Sequence, residues 1–134
     1  MKITENQNIN VSSLSPLPLA FVGDTVFDLL VREYLVGKAN RPVSQLHALA
    51  SKMVCAPAQA KAYDVISDML SEEEQVVFKR GRNAHTGGVP KNASSAQYHV
   101  ATGLEALFGW LYLNGETDRI NELFDVIMRE ECDG

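Results

Sequence analysis

Residues 17–36 read LPLAFVGDTVFDLLVREYLV. Apolar residues recur every three or four positions along the whole run, which is the period of a helix. Ser15 stands before it as a cap, Pro16 suits a first turn, and Gly37 is the expected stop. The run is too apolar for a helix with a single buried stripe, so it is expected at the centre of the fold. It nevertheless carries Asp24 and Asp28, one turn apart and on one stripe with Arg32. Residues 94–114 repeat the combination, with Glu105 as the only charge in an apolar stretch that ends before Gly115. Burying an unpaired carboxylate costs several kcal/mol, so a cation or a water-filled cleft is expected to compensate.

The remaining segments also read as helices. Residues 44–55 form an amphipathic second helix, and Pro57 restarts a third that runs to residue 70. Ser71 and Glu74 make a capping box for a fourth, ending near Arg82. Residues 84–92, AHTGGVPKN, are a loop by their glycine pair and proline. The fifth helix is the apolar run around Glu105, and a sixth covers residues 117–130. No stretch alternates with period two between hairpin turns. The expectation is one all-α domain over residues 1–134, a bundle of about six helices, behind a flexible leader of residues 1–14.

Composition narrows the class. At 134 residues, 46 % apolar and 22 % charged, the chain can bury a core without staples and is not of disordered type. Cys55 and Cys132 are too far apart in sequence for a C-x-x-C zinc pair, and Cys55 is expected as a small buried hydrophobe. The polar start MKITENQNIN carries no signal-peptide core, and the best apolar window is short and contains Glu105. A cytoplasmic protein with no membrane partner is therefore expected. The net charge of −5 argues against nucleic acid, but its distribution does not. Residues 75–104 hold no Asp or Glu and carry +4 through Lys79, Arg80, Arg82 and Lys91.

Two constellations carry chemistry. Asp24 and Glu105 supply hard oxygen ligands for a shared magnesium ion, or are independent carboxylates on solvated stripes; spacing alone does not bring two helices together. Lys79, Arg80, Arg82, His85 and Lys91, with Asn83 and Asn92 as hydrogen-bonding neighbours, offer a phosphate grip at a helix end and its loop. The plainer reading is a basic helix terminus favoured by the helix dipole. His47 and His99 read as structural, and Phe108, Trp110 and Tyr112 as core. No G-x-S-x-G, H-E-x-x-H or P-loop pattern occurs.

LAFVGDTVFDLLVREYL resembles the signature helix of the ribonuclease III superfamily, an apolar stretch ending in L-G-D and followed by an apolar run. LEALFGWLYL is similar to that superfamily's second acidic helix, F-E-A-L-I-G-x-x-Y-L. The match is closer to the bacterial Mini-III ribonucleases, short members without a double-stranded-RNA-binding domain. The segments QLHALASKMVCAPAQAKAY, LSEEEQVVFKRGRNAHTGGVPKN and QYHVATGLEAL look like theirs too, so the resemblance spans about residues 18–123. Asp24 takes the place of the signature aspartate and Glu105 that of the metal-binding glutamate. Two further acidic positions of the larger enzymes are Ala20 and Thr102 here, as in the Mini-III pattern.

The resemblance implies a ribonuclease III catalytic-domain-like all-α fold and a homodimer. It implies a magnesium-dependent endoribonuclease, with manganese as a substitute ion, that cuts double-stranded RNA and matures precursor 23S ribosomal RNA. Asp24 and Glu105 are then the catalytic, metal-holding pair; Asp28, one turn past Asp24, is a candidate auxiliary acting through water that the family does not require. Against this stand a non-catalytic RNA- or ribosome-binding module of the same fold and a helical protein-interaction module using the acidic last helix.

Overall fold

Local signals set the helix boundaries. In the computed structural model, which describes residues 8–84 and 94–133 with side chains as far as Glu130, six α-helices follow one another and no strand occurs among those residues. They are α1 (Pro16–Lys38), α2 (Val43–Val54), α3 (Ala56–Ile66), α4 (Glu72–Arg82), α5 (Ser95–Leu113) and α6 (Thr117–Asp133). The Ser71–Glu74 capping box starts α4, with the Ser71 amide donating to Glu74 Oε1 at 2.8 Å and the Glu74 amide to Ser71 Oγ at 3.1 Å. Ser94 and Gln97 do the same for α5.

Three boundaries differ from the sequence reading. Helix α1 runs through Gly37, which is not in the left-handed conformation of a helix-ending glycine, and stops at Ala39, whose backbone is extended. The third helix ends at Ile66 and tightens into a 3-10 turn, Ser67–Met69. Side chains from other elements take the carbonyls there: Gln75 Nε2 donates to Ser67 O at 2.9 Å and Arg119 to Met69 O at 2.7 Å. Residues 1–7 of the expected leader lie outside the described residues. Its remainder contains a single turn, Val11–Ser13, and Val11 and Leu14 already rest on the core.

Helix α5 is the axis. Leu104, Ala106, Leu107 and Phe108 are fully buried, and α1, α3, α4 and α6 pack around it. The edge of Phe27 meets Phe108 at 5.6 Å and Phe124 at 6.0 Å, joining α1, α5 and α6 in one core with Val31, Ile66, Leu123 and Ile127. Arg119 of α6 grips Glu74 of α4 with both arms at 2.8 Å and also reaches Glu122 at 2.9 Å. Its guanidinium holds the buried Glu74 carboxyl below the usual carboxylate range. Removing either partner would strand a charge.

Helix α1 is less central than its composition suggests. One stripe, Leu19, Gly23, Phe27, Val31 and Leu35, is buried. The opposite stripe is apolar and uncovered: Phe21 is 81 % exposed, Leu29 48 % and Val36 62 %. Its apolar excess has no partner among the described residues. Cys55 also departs from expectation: it is exposed at the joint of α2 and α3, where its thiol donates to Lys52 O at 3.5 Å. Trp110 and Tyr112 are only half-buried, at the core's edge, and His47 is exposed on α2.

Candidate active site

Glycines bring the two carboxylate helices together. A Cβ on Gly23 would overlap the carbonyl oxygen of Glu105 and lie 2.8 Å from the Gly109 amide nitrogen. A Cβ on Gly109 would in turn overlap the Leu19 carbonyl oxygen. The α1 and α5 backbones therefore touch where Gly23 and Gly109 face each other, with no side chain between them. Asp24 and Glu105 flank that contact, one on each helix.

Their carboxyl groups stand within hydrogen-bonding reach. Asp24 is exposed, whereas Glu105 is largely covered. Burial pushes the Glu105 carboxyl up to about 8, and the facing Asp24 adds to this. The amide of Gln59, reaching from α3 to Glu105 Oε2 at 3.5 Å, pulls the other way. Two facing carboxyl groups repel unless a proton or cation lies between them. This pair of hard oxygen donors, one of them open to solvent, fits a divalent cation such as magnesium, which takes one or two carboxylates and keeps several waters. Among the described residues no group of three or more His, Cys, Asp or Glu side chains gathers to hold an ion, so water and substrate oxygens would complete the coordination.

Neighbouring positions are otherwise engaged. Asp28 pairs with Arg32 one turn on, at 3.1 Å. Ala20 is buried, and Thr102 Oγ1 donates to Tyr98 O of its own helix at 3.0 Å. The His99 ring lies 5.8 Å from that of Tyr98. Gln59 is absent from the sequence reading. Its signal is a polar residue on the stripe it shares with Ala62 and Ile66, which are both buried.

A second close approach places the basic end of α4. A Cβ on Gly81 would sit 2.7 Å from that of Ala106, and one on Gly103 would sit 2.7 Å from the Phe78 carbonyl oxygen. The C-terminus of α4 thus ends at the level of Glu105 along α5. Lys79 and Arg80 are exposed there; Arg82 lies over the Phe78 ring at 5.8 Å and donates to Asn83 Oδ1 at 3.3 Å. His85, Lys91 and Asn92 lie outside the described residues.

Residues 17–116, which contain both carboxylates and the basic helix end, match the ribonuclease III domain family. The chain belongs to that family. The ribonuclease III domain here is 46 % identical over 116 residues to the Mini-ribonuclease 3 of Thermoanaerobacter sp. (strain X514), covering 87 % of this chain and 82 % of that one. It is 43 % identical over 114 residues to the Mini-ribonuclease 3 of Symbiobacterium thermophilum, covering 85 % and 88 % respectively. A Fusobacterium nucleatum protein of known crystal structure superposes with a TM-score of 0.82 at 29 % identity, over 92 % of this chain and 99 % of that one. As a member of the family, the protein is an endoribonuclease of the ribonuclease III type.

Proposed function

We propose that this ribonuclease III domain is a magnesium-dependent endoribonuclease that cuts double-stranded RNA as a homodimer in the cytoplasm, and that it matures precursor 23S ribosomal RNA. The facing pair Asp24 and Glu105 carries the reading. The substrate assignment is supported by similarity to proteins named Mini-ribonuclease 3. No described helix is long and apolar enough to cross a membrane.

When bound, magnesium supplies positive charge at the scissile phosphate and makes water a stronger nucleophile. The exposed Asp24 and the part-buried Glu105 would hold the ion. Neither attacks phosphorus; water does, leaving 5′-phosphate and 3′-hydroxyl ends. Retention of both carboxylates disfavours the non-catalytic RNA-binding reading. The test is incubation with a long duplex RNA, with and without magnesium. Magnesium-dependent fragments are expected; binding without cleavage under magnesium, manganese and calcium would move the assignment to the non-catalytic module.

Duplex RNA is held largely through phosphates and 2′-hydroxyls, which suits the Lys79, Arg80, Arg82 and Asn83 end of α4, with His85, Lys91 and Asn92 following in sequence. With a net charge of −5, few basic groups do the gripping, so binding is expected to be salt-sensitive. Neutralising Arg82 and Lys91 should weaken binding and flatten the salt slope by about one per lost phosphate contact. A salt titration of duplex binding that returns the wild-type slope would remove both from the interface.

The uncovered stripe of α1 supports self-association. Phe21 and Leu29 border a groove of about 560 Å³ between α1 and the Tyr112–Ile120 corner, and exposed apolar faces of this kind mark interaction sites. Phe21→Glu should convert a dimer to a monomer with unchanged helical content. Light scattering after gel filtration checks it, and a dimer of wild-type stability would rule out this face.

A further inference from the structure

Gln59 is the buried polar residue that neither the fold nor the metal pair explains. It is 2 % exposed and sits in the first turns of α3, its backbone N–H donating to Cys55 O at 3.0 Å within the helix. Ala62 and Ile66, three and seven positions on, are buried on the same stripe, where an apolar side chain of equal volume would satisfy packing. A buried amide costs free energy unless a partner compensates it, and Gln59 Nε2 donates to Glu105 Oε2 at 3.5 Å. In the ionised form that would hold a cation, Glu105 offers acceptors only and so selects the NH2 edge of the amide. Among the described residues the groups that face Glu105 are an amide and a carboxyl, Gln59 from α3 and Asp24 from α1. A neutral donor there orients the carboxylate without competing with a bound cation for its charge, which a lysine or arginine would do.

We infer that Gln59 is a positioning residue, whose side-chain amide holds one carboxylate oxygen of Glu105 and so fixes that group toward Asp24. The inference rests on the reading of Asp24 and Glu105 as the ion-holding pair. Partners of this kind orient a ligand, and their loss lowers metal affinity roughly 10- to 100-fold without removing a ligand. Helix α3 thereby contributes to a site whose two carboxylates come from α1 and α5.

The test uses Gln59→Met, which keeps length and volume but has no donor, and Gln59→Asn, which keeps the amide but withdraws it by one methylene. Binding of Mn2+ alone to the full chain, followed by electron paramagnetic resonance of the free ion, reads the site without RNA. Both variants should bind Mn2+ roughly tenfold or more weakly, with kcat for duplex cleavage reduced, KM for the duplex unchanged, and excess Mg2+ restoring part of the rate. A merely space-filling Gln59 would leave Gln59→Met folded, with Mn2+ affinity and kcat within twofold of wild type, and that result overturns the inference. Should Gln59→Met fail to fold, Gln59→Asn decides by the same criterion. Asp24→Asn serves as the control. If it loses Mn2+ while both Gln59 variants keep it, Gln59 alone is wrongly assigned; if it binds Mn2+ like wild type, the paired site and the inference fall together.

Discussion

Asp24→Asn should reduce duplex cleavage by roughly a thousandfold or more while leaving helical content and RNA binding close to wild type. The substitution removes a charge and changes almost no volume. Asp24 is exposed on the solvent side of α1, so no core contact is lost. On the proposed reading the substitution removes half of a two-carboxylate ion site, with no third acidic side chain gathered among the described residues to take over. Metal-assisted charge stabilisation is worth several kcal/mol in the transition state, and each 1.36 kcal/mol is tenfold in rate. The measurement is single-turnover cleavage of a labelled duplex, with a filter-binding assay of the same variant in parallel. Cleavage at the wild-type rate would refute the assignment of Asp24; loss of binding together with cleavage would reassign it to RNA contact.

The second expected result concerns stability. Gly23→Ala should destabilise the fold by about 3 kcal/mol or more, the upper range for overpacking, because the added carbon meets backbone and not a mobile side chain. For a chain of this length that corresponds to a fall in Tm of the order of 10 °C. Gly37→Ala is the matched control. Nothing lies within 4 Å of a Cβ at that position, which is inside α1. Alanine there should stabilise by about 0.5–1 kcal/mol through helix propensity. Thermal unfolding followed by circular dichroism measures both. A Gly23→Ala protein melting with wild type would show that the α1–α5 backbones are not in contact.

Features set by local chemistry could be read from the residues in isolation. The caps at Ser71 and Ser94, the proline at the start of α1 and the apolar period of α5 each act within a turn or two, and six helices appear in the expected order. What depends on neighbours distant in sequence could not be read so. Gly37 has the form of a helix stop but lies inside α1, because its backbone does not take the left-handed conformation that ends a helix. Cys55 has the chemistry of a buried residue but falls at an exposed joint. The apolar excess of α1 implied a helix enclosed on all sides; instead one side faces α5 and the other is open. The meeting of Asp24 and Glu105 was carried by the resemblance, since periodicity places each on its own helix and says nothing of the crossing. Gly23 and Gly109 were the residues that encode it. Gln59 escaped notice because an uncharged polar residue in a short helix resembles any solvated one until its neighbours are known.

The bare crossing of α1 on α5 has a consequence for how this chain tolerates change. The spacing between the two acidic helices is set by main chain resting on main chain at Gly23 and Gly109. The aromatic and aliphatic packing around Phe27 and Phe108 begins within a turn of this contact and contributes stability beside it. Interior residues away from this contact can therefore drift between sizes, at some cost in melting temperature, while the gap between the two carboxylate helices keeps its width. Two hydrogen atoms in place of side chains act as a gauge block: the separation of the two carboxylate helices is held by the two positions that carry nothing.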